Sequence, residues 1–226
     1  MQIRCDTLIP PDAVFGLLYG EFKHEYPKVD RLPVLQIPEE IRAAEPQLRY
    51  APEYKLSSGA FSLLIGPRSI GLSHFGEYQG WNVFSSKIFD VFQKLEGLEF
   101  VGKVKRFGLR YINTFDFEIL PKLALKIDLR NAPLDAKAVD FTASLSSGEF
   151  AQTLKITNNT ELQVSRRKFK GSLIDIDTFV HGQWPLSFRT IEEWVHTAHQ
   201  KEKELFFGLM TDEYISSLSP DFGDEE

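Results

Sequence analysis

The chain has a single cysteine, Cys5, among 226 residues, so no internal disulfide can form and nothing points to an oxidising compartment. Long apolar runs are missing too, since none approaches the roughly 18–20 residues of a membrane-spanning helix. The only apolar patch in the opening MQIRCDTLIPPD contains Arg4 and Asp6, which argues against a secretory leader. Nucleophile and phosphate signatures are also absent: there is no G-x-S-x-G, no P-loop and no dinucleotide G-x-G-x-x-G. A cytoplasmic protein with no membrane segment and no cofactor is therefore expected.

Hydrophobic residues at 42% and charged residues at 26% are ordinary for a globular chain and sufficient for a sizeable core. The net charge of −6 disfavours indiscriminate binding to nucleic acid. Its distribution is uneven. Residues 192–226 hold ten acidic side chains against two lysines, which leaves the remainder near neutrality. Two basic clusters stand out there: Lys103, Lys105, Arg106 and Arg110, then Arg166, Arg167, Lys168 and Lys170. Such blocks are ordinarily solvated faces. The sharper alternative is a basic groove for an anion, with the acidic tail as its competitor or partner.

Residues 2–9 alternate weakly as a first strand. Pro10 and Pro11 then precede Val14, Leu17, Leu18 and Phe22 at helical spacing, which predicts an amphipathic helix ending before Pro27. FSLLIGPRSIGLSHF reads as a hairpin turning at Gly66–Ser69. Trp81, Phe84, Ile88, Val91, Phe92 and Leu95 form one helical stripe stopped by Gly97. Residues 99–117 return as a long strand. In the second half, LALKIDLRN, VDFTASLSS, FAQTLKITNN and SLIDIDTFV read as strands, separated by turn residues such as Ser147-Gly148 and Asn158-Asn159. A long closing helix is expected from Thr190, where Thr190 and Glu193 have capping-box form, with Ile191, Trp194, Val195, Ala198, Leu205 and Phe206 as its stripe. Gly208 ends it, a short helix follows Thr211, and the tail SPDFGDEE is expected to fray.

Hairpin-linked strands with few intervening helices predict an α+β fold, a mainly antiparallel sheet covered by about three helices. The expected organisation is one domain over 1–226, with room for two similar helix-on-sheet halves at 1–119 and 120–226.

GPRSIGLSHFGEYQGWNVF followed by VKRFGLRYINTFDF resembles the sporadically distributed bacterial and archaeal family of uncharacterised proteins marked by a GLRYIN strand. Gly66, Tyr78, Gly80, Trp81 and the run Gly108-Leu109-Arg110-Tyr111-Ile112-Asn113 carry the resemblance, which reaches faintly to LIDIDTF and FFGLMTDEYISSL. It implies no activity. The family's patchy distribution implies an accessory role, such as a partner in a defence or toxin–antitoxin pair.

The motif strand raises its own question. In a regular strand Phe107, Leu109, Tyr111, Asn113, Phe115 and Phe117 share one face and Arg106, Gly108, Arg110, Ile112, Thr114 and Asp116 the other. The aromatic face belongs to a core, where Tyr111 and Asn113 need hydrogen-bond partners. Arg106 and Arg110 stand about 13 Å apart with Gly108 between them, and glycine leaves room for a close approach. Arg106, Arg110, Tyr111 and Asn113 are thus the residues expected to line an anionic-ligand or protein-partner site. The bland reading pairs each arginine with a carboxylate.

Asp175 and Asp177 share a strand face. They are weak candidates for a divalent cation, or equally the partners of Arg106 or Arg110. His196 and Glu193 mimic half of a carboxylate metal motif whose second half is missing. His74 reads as a satisfied core histidine, and Cys5 lacks an electropositive setting. Three readings follow: a non-enzymatic binding module, a metal-assisted enzyme on a phosphorylated or nucleotide substrate, and a nucleic-acid binder using 103–110 and 166–170.

Overall fold

The structure is a computed structural model and describes residues 1–126, 128–129, 132–133, 139–164 and 167–218. The fold is α+β. Its described strands are β1 (Gln2–Thr7), β2 (Lys28–Arg31), β3 (Tyr54–Ser58), β4 (Phe61–Gly66), β5 (Ser69–His74), β6 (Val101–Phe115), β7 (Asp128–Leu129), β8 (Ala132–Pro133), β9 (Val139–Ser147), β10 (Phe150–Val164) and β11 (Arg167–Trp184). The helices are α1 (Pro11–Phe22), α2 (Glu39–Ala44), α3 (Trp81–Gly97), the 21-residue α4 (Phe188–Gly208) and α5 (Asp212–Ser217). Nine strands hydrogen-bond in the order β2-β3-β4-β5-β1-β6-β11-β10-β9, while β7 and β8 form a separate pair. Every described register is antiparallel. No described helix is long and apolar enough to cross a membrane.

The chain divides into two compact units. Unit 1 comprises Met1–Leu109 with Phe179–His196, and unit 2 comprises Arg110–Thr178 with Thr197–Glu226. The division falls inside β6, β11 and α4, long elements that each contribute to both units.

In unit 1 the weakly alternating β1 is interior to the sheet. Ile3 lies opposite Ile70 of β5 and Phe107 of β6, so Ile3 and Cys5 are fully buried. Helix α1 starts with proline in its first turn, where a missing N–H leaves nothing unsatisfied, and buries Val14, Leu18 and Phe22. Helix α3 buries the expected stripe from Phe84 to Leu95, although Trp81 itself is only half-buried. Burying each such side chain contributes about 1.5–3 kcal/mol. Helix α4 begins at Phe188, one turn earlier in effect than the capping-box reading, so Thr190 lies within the helix. The Phe188 N–H donates to Glu96 Oε1 (3.0 Å), so α3 caps α4 with a carboxylate that Thr190 was expected to replace.

Unit 2 has its own core. Ile119, Leu123, Leu154, Ile156, Ile174, Ile176, Leu209 and Met210 are buried together. Asn158 and Asn159 do not make a turn here: both lie within β10, where Asn159 takes φ 55°. Asparagine tolerates that left-handed geometry, so the pair kinks a strand that continues beyond it. Asn158 Oδ1 accepts from the Leu120 N–H (3.0 Å), and Ser172 Oγ accepts from the Ile119 N–H (3.1 Å) and donates to the Phe117 carbonyl (2.8 Å). These two buried side chains hold the segment after β6 against the sheet. Gly171 sits where that segment begins, and a Cβ there would lie 2.1 Å from the Phe115 carbonyl oxygen. Thr211 caps α5 by accepting from the Tyr214 N–H (3.3 Å), as expected. Ser219–Glu226, the acidic tail read as frayed, and Arg166 of the second basic cluster lie outside the described residues.

Candidate functional site

The faces of β6 are divided as alternation requires, but both are buried at its centre. Phe107 and Leu109 are inaccessible, and Phe107 packs against Trp194 of α4 at 5.6 Å. Arg106, on the opposite face, is only 7% exposed. Its guanidinium lies over the ring of Phe179 (4.6 Å to the centroid), an arrangement in which the ring's negative face balances the cation. A Cβ on Gly108 would come within 2.4 Å of Arg106 Nη1. The room that glycine leaves is therefore taken by the neighbouring arginine itself, a local use that alternation alone does not reveal. Arg4 of β1 lies directly opposite Arg106 in the register, and its guanidinium also stacks on a ring, Tyr50, at 5.0 Å.

Arg110 has a different occupation. Its Nε donates to Asp175 Oδ1 (2.7 Å) and its Nη2 to Asp175 Oδ2 (2.5 Å), a two-pronged fork on one carboxylate. Asp175 is nearly buried, whereas the Arg110 side chain is about half-exposed. The carboxylate's hydrogen bond holds the guanidinium's pKa above its ordinary value, against the opposing effect of partial burial, and Asp177 adds to the pull. Of the two aspartates read as cation ligands, Asp175 is thus committed to an arginine. Among the described residues no group of three or more His, Cys, Asp or Glu is placed to hold a metal ion.

Tyr111 and Asn113 are half-buried. The Tyr111 hydroxyl lies 3.4 Å from His199 Nδ1 of α4, so the tyrosine has the polar contact its burial calls for. His196 packs among Trp81 (6.2 Å) and Phe89 (5.4 Å), and Glu193 lies 3.2 Å from Arg189 Nε. His74 is not the satisfied core histidine that was expected. Its Nε2 is buried without a hydrogen-bond partner, between the rings of Phe61 (4.8 Å), Tyr78 and Phe84. Cys5 is sealed in the sheet, and burial pushes its thiol up to about 12, with Asp6 adding to the effect. A protonated, inaccessible thiol is no nucleophile.

Unit 2 also contains a polar layer absent from the sequence reading. Glu202 of α4 is 3% exposed, and its Oε1 accepts from the Thr178 backbone N–H of β11 (3.1 Å). Gln152 of β10 donates from Nε2 to Thr178 Oγ1 (2.9 Å) and to the Lys201 carbonyl (3.2 Å). Burial pushes the Glu202 carboxyl up to about 9, outweighing the lowering by its two Thr178 bonds, and Asp177 and Asp175 push in the same upward direction. The carboxyl is therefore neutral at pH 7, and its buried Oε2 has no partner. A signal for this layer exists in the sequence. The α4 stripe runs Ile191, Val195, Ala198, then Leu205, and the missing turn is position 202. Gln152 and Thr178 likewise interrupt Phe150–Leu154–Ile156 and Ile174–Ile176–Val180, patterns otherwise apolar.

The most exposed aromatics of unit 1 lie on the loop between β5 and α3. Phe75 and Tyr78 are 59% and 51% exposed, on a loop whose Gly76 and Gly80 take φ 98° and 93°. The Tyr78 ring lies edge-on to His74 (6.5 Å), and His74 in turn contacts Phe61 (4.8 Å) and Phe84 (6.5 Å). A shallow cleft elsewhere in unit 1 is lined by Glu39, Arg42, Arg49, Glu53 and Arg68, and its Arg42 and Glu53 neutralise each other.

No family model matches the chain, and neither a curated protein nor a solved structure matches it.

Proposed function

We propose that the chain is a non-enzymatic interaction module that recognises another protein through the loop bearing Phe75 and Tyr78. The observation that carries this reading is the exposure of two large aromatics on one short loop, with the Tyr78 ring edge-on to His74 at 6.5 Å. Large aromatic rings are common anchors of a recognition surface, because they bring much apolar area with few side-chain torsions to order on binding. Left-handed glycines at positions 76 and 80 allow the loop to turn sharply enough to present them. The Lys55 ammonium lies 5.8 Å from the Phe75 ring centroid and gives the patch a basic rim. A partner offering apolar side chains bordered by a carboxylate fits this chemistry. An accessory role in a two-protein system, implied by the family resemblance, agrees with it.

The test is affinity capture from the source cell with tagged wild-type chain and with the double variant Phe75→Ser/Tyr78→Ser. The expected result is a protein retained by the wild type and lost from a variant of unchanged melting temperature. Identical captured sets would remove the loop from the function.

A further inference from the structure

The two outer strands of the nine-stranded sheet are finished differently. β2 has four residues, three of them charged: Lys28, Asp30 and Arg31. Short and charged is how sheets protect an edge from unwanted pairing. β9, VDFTASLSS, has nine residues and one charge, Asp140, which already lies 3.5 Å from Lys155 of its own hairpin. It contains no proline, lysine or arginine, and among the described residues no strand lies beyond it. Nothing in its sequence discourages another strand from adding to it.

The hairpin geometry specifies which backbone groups β9 offers. Ser147 pairs with Phe150 across a two-residue loop, and Gly148 at φ 65° takes the first central position, the type II′ arrangement. The residues flanking such a loop form a hydrogen-bonded pair, and pairs alternate from there. Odd-numbered residues of β9 therefore bond to β10. Asp140, Thr142, Ser144 and Ser146 direct their N–H and C=O groups outward.

We infer that β9 pairs with β9 of a second copy of this chain, antiparallel about a two-fold axis at Ala143. A two-fold pairing must be self-complementary, and this register is. Thr142 meets Ser144 of the other copy and Asp140 meets Ser146, so all four outward residues become hydrogen-bonded pairs, about eight bonds in total. Ala143 meets itself at the axis, in the close non-hydrogen-bonded position that suits a small side chain. Phe141, which packs on the unit 2 core, meets Leu145, which is 37% exposed, so the apolar face continues across the junction. No charge faces a like charge. Shifting the axis by one residue to Thr142 leaves Ser146 beyond the paired segment. One strand pair is a small interface, in the weak, transient class, so the dimer is expected only as protein concentration is raised. This surface lies in unit 2 and is independent of the Phe75–Tyr78 loop of unit 1.

Sedimentation velocity of the full chain from low to several hundred micromolar tests the pairing. The wild type is expected to shift from monomer to dimer. Thr142→Lys/Ser144→Lys, two changes at exposed positions, places lysine opposite lysine twice and is expected to be monomeric with unchanged circular dichroism. Mixing it with Thr142→Glu/Ser144→Glu restores the dimer as a heterodimer. The register is tested by Ala143→Cys, which mild oxidation is expected to cross-link between chains, since paired non-hydrogen-bonded positions suit a disulfide and the buried Cys5 does not compete. A chain that stays monomeric and uncross-linked at the highest concentration overturns the inference and leaves this edge for an extended segment of a different protein. So does a dimer that survives the lysine pair.

Discussion

Replacing Glu202 with glutamine tests the polar layer of unit 2 quantitatively. In the folded chain burial pushes the carboxyl up to about 9, against an ordinary value near 4.5. Between those limits the folded state holds a proton that the unfolded state has released. Stability attached to this group is fully present below pH 4.5 and is lost as pH rises toward 9, at up to about 1.4 kcal/mol per pH unit. From pH 5 to pH 8 the ceiling is therefore about 4 kcal/mol, and relaxation around the carboxyl reduces it to about 2–4 kcal/mol. Glutamine keeps the shape, keeps an oxygen for the Thr178 N–H and does not titrate. The assay is urea unfolding of both proteins at pH 5, 6, 7 and 8. The difference between them is expected to move by about 2–4 kcal/mol in favour of Glu202→Gln as pH rises, which also separates this group from all others that titrate. Carbon-13 chemical shifts of the Glu202 carboxyl should stay in the protonated range up to pH 8. Parallel stability curves, or a carboxyl that ionises near pH 4.5, would refute the reasoning.

Two further outcomes follow from contacts in the sheet. Arg110→Ala strips Asp175, which is nearly buried, of both its prongs, and is expected to destabilise by about 1–2 kcal/mol in urea unfolding; the double variant with Asp175→Asn should recover part of that loss, and fully additive losses would show that the fork contributes nothing. Gly171→Ala meets the Phe115 carbonyl, which cannot move aside, and is expected to leave little folded protein, whereas Gly108→Ala meets the far end of the Arg106 side chain, whose torsions can shift, and is expected to cost about 1–2 kcal/mol. Equal melting temperatures for these two glycine variants would contradict the close approach at Gly171.

Elements that organise their own neighbourhood were legible in the sequence. Helices α1 and α3, the β4–β5 hairpin and the Thr211 cap all follow from periodicity and turn residues within a few positions. What depended on distant residues was not. The alternation of β1 says nothing of its place between β5 and β6, and the cap of α4 comes from Glu96, 92 residues away. Asn158-Asn159 has the composition of a turn, but Asn158 is held by the Leu120 N–H and by its pairing with Val139, and the Asn159 N–H donates to Ser172 Oγ (3.4 Å). The site showed the same division. Alternation correctly separated the arginine face of β6 from its aromatic face, and Asp175 was among the carboxylates considered for pairing. That Gly108 accommodates Arg106 is a matter of rotamer, which no spacing encodes. The layer of Glu202, Gln152 and Thr178, by contrast, leaves one break in each of three apolar patterns, a signal that the sequence reading passed over.

That break has a consequence for how the last helix finds its seat. Apolar side chains are indifferent to sliding, since one leucine serves nearly as well as the next against a flat oily surface. Glu202 and Thr178 are not interchangeable with their neighbours. A displacement of α4 by one turn, about 5.4 Å, would leave a carboxyl and a backbone N–H stranded together in the interior of unit 2. The polar layer therefore acts as a notch in an otherwise smooth track, selecting where along the sheet the helix comes to rest.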